Sequence, residues 1–335
     1  MQRAPGSIPR VAVVGGDTLL AKEIRELLSE SKPAPQVQLI SAAGDGSTLL
    51  SAEDEETVVM TPLSAESLEG SRVAFLAGSQ ASSRRALKVN PAGGPVLIDL
   101  TGGLEEQPNA RLRAPSAEPQ PAAAPRGGLS VIAHPAAIAI AVFLARLAKT
   151  GTIRRSVIHV FEAASERGQR GLDELQQQTV AVLSFQKLKT DVYDAQLAFN
   201  MLARYGEEAI EPLEGVEQRL ERHLASLLAA WPGVPMPSVR LIQAPVFHGH
   251  SFSAWVEFDE SPGVEAISSV LAGGGIDVRT EEPPSNVGAA GQSGVSVGAI
   301  AADRNNAHAC WFWLVADNLR LAAENAIAVA REVLE

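Results

Sequence analysis

The chain reads as an α/β protein in two parts, a doubly wound parallel-sheet domain followed by an α+β domain. Three observations carry this reading. Short apolar runs alternate with helical patterns from Val11 to Leu100, the rhythm of strands joined by crossover helices. A Pro- and Ala-rich stretch with few large apolar residues, Gln107–Gly128, then interrupts the pattern and reads as a boundary loop. Beyond it, long helices and β-rich runs follow one another without strict alternation, which fits an antiparallel or mixed sheet.

Val11–Val14 is a short apolar run ending in Gly15-Gly16-Asp17, followed by Leu19, Leu20, Ile24, Leu27 and Leu28 at helical spacing. That is strand, turn and helix. Val37–Ile40, Val58–Met60, Val73–Ala77 and Val96–Leu100 read as further strands, and Ser82–Val89 as a helix. In the second part Pro135 opens a buried helix over Ala136–Lys149, proline being suited to a first helical position. Ser156–Phe161 reads as a strand, Leu172–Leu188 and Glu214–Ala230 as amphipathic helices. Arg240–Phe247 and Ser251–Phe258 are strands around a tight His248-Gly249-His250 corner. Val295–Ile300 and Cys310–Val315 add strands, and Asp317–Leu334 closes with a helix.

Composition narrows the function. Hydrophobic residues at 46% and charged residues at 20% of 335 positions suit a soluble protein with two cores. A net charge of −11 argues against nucleic-acid or anionic-membrane partners, which select a basic face. The longest apolar stretch, Ile132–Ala148, is interrupted by His134, Pro135 and Arg146 and falls short of the roughly 18 residues of a span. The first ten residues hold no apolar signal core, so a cytoplasmic location is expected. Cys310 is the single cysteine; it excludes an internal disulfide and argues against a cysteine metal site.

Several segments carry chemistry-bearing residues at definite spacing: Gly15-Gly16-Asp17-Thr18 after the first strand, Asp99–Gly102, Val131–Ile140, F-E-A-A-S-E-R-G at Phe161–Gly168, D-E-L-Q-Q-Q-T at Asp173–Thr179, Ala198–Asn200, P-V-F-H-G-H-S at Pro245–Ser251, and V-A-D-N-L-R at Val315–Arg320. Across essentially the whole chain these resemble the aspartate-semialdehyde dehydrogenase family. The resemblance implies a Rossmann-type NAD(P)-binding domain over residues 1–128, completed by the helix at 316–335. It implies a dimerisation and catalytic-type domain over 129–315, and hence a homodimer, with Trp311 and Trp313 as core or interface residues.

For the cofactor, NADP or NAD, the resemblance points to Gly15, Gly16 and Thr18 in the pyrophosphate turn and Ser41 in the Ser41–Gly44 loop. Gly78 and Ser79 fall near the nicotinamide, and Asn318 on the returning helix. Thr18 and Ala21 stand where the family has glycines, Asp17 adds an acidic group beside the pyrophosphate, and the Ser41–Gly44 loop holds no arginine for a 2′-phosphate. Cofactor binding is therefore expected to be weakened or lost.

The catalytic frame departs further. In the family's I-A-N-P-N-C segment a cysteine forms the thioester; here Ala137 takes that position, Ala136 and His134 those of the asparagines, and alanine cannot attack a carbonyl. His250 keeps the place of the catalytic histidine. Gln243 stands for a carboxylate-binding arginine and so lacks a cationic fork. Glu162 stands for the glutamine of Y-Q-A-V-S-G-A-G, and Glu105 for a phosphate-binding arginine. Glu214 keeps an acidic substrate position whose lysine partner has become Glu217. A phosphate or dicarboxylate substrate would thus meet Glu105, Glu162 and Glu217 instead of cations.

Other chemistry finds little support. Cys310 reads as a small core residue of a strand. Ser165 with Glu162, and His134 with Ser130, show no triad-like spacing. His248, His250, His159 and Glu162 make a poor metal set, and none is assigned. The expectation is a dimeric, non-catalytic scaffold or sensor lacking phosphorylating dehydrogenase activity, its small-molecule ligand undefined. The alternative is an NAD(P)-dependent oxidoreductase acting on an aldehyde or oxo group through His250.

Overall fold

A computed structural model describes residues 8–43, 49–53, 56–119 and 128–334. Gly44, residues 120–127 of the expected loop and the first seven residues lie outside the described residues. The chain divides into two compact units. The first comprises Met1–Pro115, Gln120–Ala133 and Ala322–Glu335, the second Ser116–Pro119 and His134–Leu321.

The first unit is built on a six-stranded parallel sheet. Its strands are β1 (Arg10–Val14), β2 (Gln36–Ile40), β5 (Val73–Leu76), β6 (Val96–Asp99), β7 (Ala110–Arg113) and β8 (Leu129–Ile132), in the order β2-β1-β5-β6-β8-β7. A hairpin of β3 (Leu49–Glu53) and β4 (Glu56–Met60) follows β2. Helices α1 (Leu19–Ser29), the short α2 (Ala65–Leu68) and α3 (Gln80–Val89) complete the connections. β1 and β5 are buried almost throughout, as strands covered on both faces must be, and so they read as continuous apolar runs.

The loop expected at Gln107–Gly128 is partly ordered, because Ala110–Arg113 pairs with β8 as the edge strand of this sheet. β8 itself pairs with β6, which moves the boundary from residue 128 to Ala133. The Arg113 guanidinium forms a forked ion pair with Glu332, at 2.9 and 3.0 Å.

The second unit carries a mixed six-stranded sheet in the order β10-β9-β11-β14-β13-β12. These strands are β9 (Ile153–Glu162), β10 (Ser238–Gln243), β11 (His250–Phe258), β12 (Ile276–Arg279), β13 (Val295–Ala302) and β14 (Ala309–Ala316). Its helices are α4 (Pro135–Leu147), α5 (Gly168–Leu183), α6 (Leu213–Leu228), α7 (Val264–Leu271) and the short α8 (Asn286–Ala289). α9 (Asn318–Leu334) starts in this unit and continues into the first. α4 is buried on nearly every side, which explains its lack of a polar face; Phe143 meets Phe312 of β14 edge-on at 5.1 Å.

Two expected ends move. α5 stops at Leu183 rather than Leu188 because Phe185 adopts a positive φ of 54°, which a helix cannot continue through. β10 stops at Gln243 rather than Phe247, and the following residues instead receive hydrogen bonds from Ala164 N–H and Ser165 N–H.

Candidate functional site

The catalytic-type residues of the second unit gather around the C-terminal end of β9. Glu162 ends that strand, fully buried. The chain then turns through a 3-10 segment, Ala164–Arg167, whose first amides bond Val246 O and Phe247 O at 2.8 and 2.9 Å. Gly168 follows with φ 63°, a conformation glycine adopts without strain. The turn projects Glu166 and Arg167 back toward Glu162.

His250 enters from the start of β11, after Gly249 with φ 79°. That corner is pinned by Asn286, which donates to Gly249 O at 2.6 Å and accepts from Ser251 Oγ at 2.9 Å. His134 enters as the N-cap of α4, its Nδ1 accepting from Ala136 N–H at 3.2 Å. Its own N–H donates to Nδ1 of His223 on α6 at 2.9 Å. The two imidazoles lie nearly parallel, centroids 6.2 Å apart.

Backbone contacts set the tautomers. Nδ1 of His250 accepts from Ala163 N–H at 3.2 Å, as Nδ1 of His134 does from Ala136. Both neutral rings therefore carry their proton on Nε2, an assignment made from the hydrogen-bond network. Both Nε2 atoms face the Glu166 carboxylate: His250 Nε2 at 3.2 Å from Oε2, His134 Nε2 at 3.5 Å from Oε1. These approaches lie off the N–H direction, so neither nitrogen has a directed hydrogen-bond partner. Glu162 Oε2, 3.9 Å from His134 Nε2, also lacks one.

Charge is balanced locally. Arg167 spans Glu162 Oε1 at 3.0 Å and Glu211 Oε2 at 3.1 Å, its guanidinium 5.7 Å from the Tyr205 ring centroid. Burial opposes the Arg167 charge, but Glu162 beside it raises its basicity further and keeps it protonated. Burial raises the Glu162 carboxyl, against the pull of Arg167. Burial also acts to raise Glu166, yet the polar and cationic groups around it, Arg167 among them, outweigh burial and hold that carboxyl well below the usual range. His134 is pushed well below the ordinary imidazole range by burial, and protonating Nδ1 would also break its bond to Ala136 N–H.

Gln243 and Asn318 complete the frame. Gln243 Nε2 donates to Glu162 O at 2.8 Å and its Oε1 accepts from Tyr205 OH at 2.6 Å. Its amide is thus spent on holding the Glu162 backbone. Asn318 Oδ1 accepts from Ser165 Oγ at 2.9 Å and Gly249 N–H at 3.3 Å, while Nδ2 donates to Glu166 Oε2 at 2.9 Å. Asn318 thereby ties the 3-10 turn to the histidine corner. Tyr193 packs edge-on to Tyr205 at 5.2 Å. Its loop is held by the D-E-L-Q-Q-Q-T helix: Glu174 accepts from Val192 N–H at 2.6 Å, and Gln178 from Leu197 N–H at 2.7 Å.

Several expectations are corrected. Ala137 is fully buried in the first turn of α4 and offers only a methyl group. Glu214 is exposed on α6 and bonds Gln218, because helical spacing turns it away from His223 and the cluster. Glu217 accepts from Leu241 N–H at 2.6 Å and pairs with Arg240, while Glu105 belongs to the first unit. Cations are present after all, since Arg167 and Arg219 both lie in the cluster's charge network. The signal for Glu166 and Arg167 was in the F-E-A-A-S-E-R-G motif itself, where E-R replaces G-A of the family pattern.

In the first unit Gly15, with φ 85°, lies so close to Gly78 that a Cβ would sit 2.4 Å from the Gly78 Cα. A Cβ on Gly16 would press on Leu39 and Met60. Thr18 caps α1, its Oγ accepting from Ala21 N–H at 3.2 Å and lying 3.0 Å from Gly15 O and Ala77 O. The Asp17 side chain is exposed. Ser79 caps α3 reciprocally with Ser82, and Ser41 Oγ accepts from Ala43 N–H at 3.0 Å. The loop expected to lack an arginine receives one from α3, where Arg85 donates to Ala42 O. Among the described residues no group of side chains could hold a metal ion.

Comparison with known proteins agrees with this architecture. Residues 144–321 match the profile of the semialdehyde dehydrogenase dimerisation domain. The chain is 27% identical to an aspartate-semialdehyde dehydrogenase of Prochlorococcus marinus, over 97% of this chain and 95% of the relative. It is 29% identical to a USG-1 protein homolog of Pseudomonas aeruginosa over 97% of each. The solved structure of a probable aspartate-semialdehyde dehydrogenase from Pseudomonas aeruginosa superposes with a TM-score of 0.83 at 27% identity, over 98% of this chain and 99% of that one.

Proposed function

Because the chain belongs to the semialdehyde dehydrogenase family, we propose that it is a dimeric member without the acyl-enzyme step, serving as a ligand-responsive scaffold or sensor. Ala137 carries the reading: a methyl group stands at the nucleophile position, and the cluster's Ser165 and Tyr205 hydroxyls are bonded to Asn318 and Gln243. The neighbouring charges support it. Arg167 neutralises Glu162 and Glu211 within the chain, and Gln243 is committed to Tyr205 and Glu162, so neither is free to grip a substrate carboxylate.

Assembly follows from the mixed sheet. Val157, Trp255 and Trp311 form one cross-strand row, with Val157 and Trp311 each about 40% exposed. Such a half-covered apolar row suits burial against a second copy.

A solved aspartate semialdehyde dehydrogenase from Candida albicans is with NADP, and the same cofactor is proposed here. In this chain the Gly15–Thr18 turn, the Ser41–Ala43 loop and Gly78-Ser79 would hold it, with Arg85 as the cation for a 2′-phosphate. Bound there, the nicotinamide would supply a hydride acceptor. Binding is weaker than in a turn with all its glycines, since Thr18 replaces one, and NADP is preferred over NAD through Arg85.

The test is phosphate-dependent oxidation of aspartate semialdehyde with NADP, assayed for the native protein and Ala137→Cys. Both should stay at background. Full activity from that single change would sink the reading. One observation favours a second reading, a nicotinamide-dependent oxidoreductase on an aldehyde or oxo group: two imidazole Nε2 atoms and Glu162 Oε2 lack directed partners, so His250 has a proton to offer a carbonyl oxygen.

A further inference from the structure

Glu166 holds a position inside the cluster that has the shape of a bound ligand. Its carboxylate is met by an amide N–H from Asn318 at 2.9 Å and by two imidazole Nε2 atoms at 3.2 and 3.5 Å. These donors come from three separate elements, α9, β11 and the cap of α4. Each is fixed by contacts of its own. Asn318 Oδ1 is spent on Ser165 and Gly249, and both histidine Nδ1 atoms accept backbone N–H groups, which leaves the Nε2 protons facing inward. His134, His250 and Asn318 are all at least 96% buried. Two of the three donors have no directed hydrogen bond as the site stands, and a buried donor left so is destabilising. The Glu166 carboxylate, carried on the 3-10 turn, approaches both without aligning to either.

We propose that His134, His250 and Asn318 form a carboxylate-binding subsite that the chain's own Glu166 occupies as a tethered ligand, and that a free small carboxylate takes the place when Glu166 is removed or withdrawn. The subsite selects an anion with two coplanar oxygens: Asn318 and His250 address one oxygen of Glu166, and His134 the other. A free carboxylate can align with the imidazole N–H groups in a way a side chain anchored at residue 166 does not. Glu162 Oε2, 3.9 Å from His134 Nε2, and the burial of all three donors suit a small monocarboxylate end. This rests on the cluster being a ligand site, as the proposed function holds. It extends that reading by naming the ligand chemistry and what fills the site in its absence.

The experiment is thermal unfolding of the full chain and of Glu166→Ala in sodium acetate or formate, against sodium chloride at equal ionic strength. Glu166→Ala should melt below the native protein, and acetate or formate should raise it by roughly 2–4 °C relative to chloride. The native protein should not respond, and bulky pivalate should rescue neither. An acetate effect equal in both proteins, or none beyond chloride in the variant, overturns the proposal. Should Glu166→Ala fail to fold, long-range proton–nitrogen NMR of native protein and Glu166→Gln decides. Both histidines should be Nε2–H tautomers at pH 7, with resonances that shift in the variant; an Nδ1–H tautomer at either, or no shift, overturns it. Failure here leaves the Ala137→Cys assay untouched, so the two claims fall separately.

Discussion

The strand-end turns of the first unit and the polar cluster of the second have both diverged from the family pattern, with opposite physical results. In the turns, divergence is absorbed by the backbone. Thr18 stands for a glycine and becomes a helix cap, and Gly15 and Gly78 keep their close approach. In the cluster, divergence rewrites the charges: Glu162, Glu166 and Arg167 bring two carboxylates and a guanidinium into a buried space. A site made of peptide groups tolerates side-chain change as long as the turn survives. A site made of side chains becomes a different site.

The cluster should therefore be the more fragile of the two. Arg167→Ala would leave Glu162 buried without its counterion, and a broken buried pair costs about 3–5 kcal/mol, read as a fall in the urea midpoint. Adding Glu162→Gln should recover part of that loss. Equal stability of Arg167→Ala and native protein would mean the cluster is wetter and softer than its burial implies.

The pH dependence sharpens the contrast. His134 has its folded pKa below the ordinary 6.5, so its contribution is present above that pH and lost as pH falls. Glu166 is likewise depressed, and its contribution is lost below about 4.5. Glu162 is raised and acts the other way, losing stability as pH rises through its folded value. Below pH 6.5 His134 contributes a slope of up to about 1.4 kcal/mol per pH unit for one proton, and Glu162 opposes it where that carboxyl titrates. His134→Asn, which keeps a capping side chain without a titrating ring, should remove the His134 share of the slope. A profile of the same slope in the variant and the native protein would refute the assignment.

Smaller effects belong to the turns. Thr18→Gly should cost at most about 1 kcal/mol of stability while tightening NADP in a calorimetric titration; unchanged affinity would show that Thr18 is not what limits binding. Glu214→Ala should move stability by less than about 0.5 kcal/mol, since Glu214 is exposed and its carboxylate accepts from Gln218 Nε2 at 3.3 Å. A larger loss would return Glu214 to the site.

Legibility followed the kind of information each residue carries. Periodicity located most strands of both sheets and most of the long helices, because burial on one or both faces writes itself into local spacing. It missed β8, β12 and α7, and also β7, whose residues Ala110, Arg111, Leu112 and Arg113 alternate weakly and whose place depends on β8 some sixteen residues later. His250 and Glu162 were found from motifs, and they do meet within one cluster. Glu166, Arg167 and the capping role of His134 were not, since their importance arises from distant partners: Asn318, Glu211 and His223. Thr18 was read as bulk near a phosphate; its rotamer, turned onto Gly15 O and Ala77 O, is visible only once the turns are folded together.

The ion pair between Arg113 and Glu332 joins residues 219 positions apart, and Arg72 reaches the carbonyls of Val333 and Leu334 at the end of α9. The first unit is therefore closed by a segment that the chain reaches only after passing through the second. Cutting the chain between the two stretches would turn that closure from an intramolecular step into a concentration-dependent reunion of two fragments.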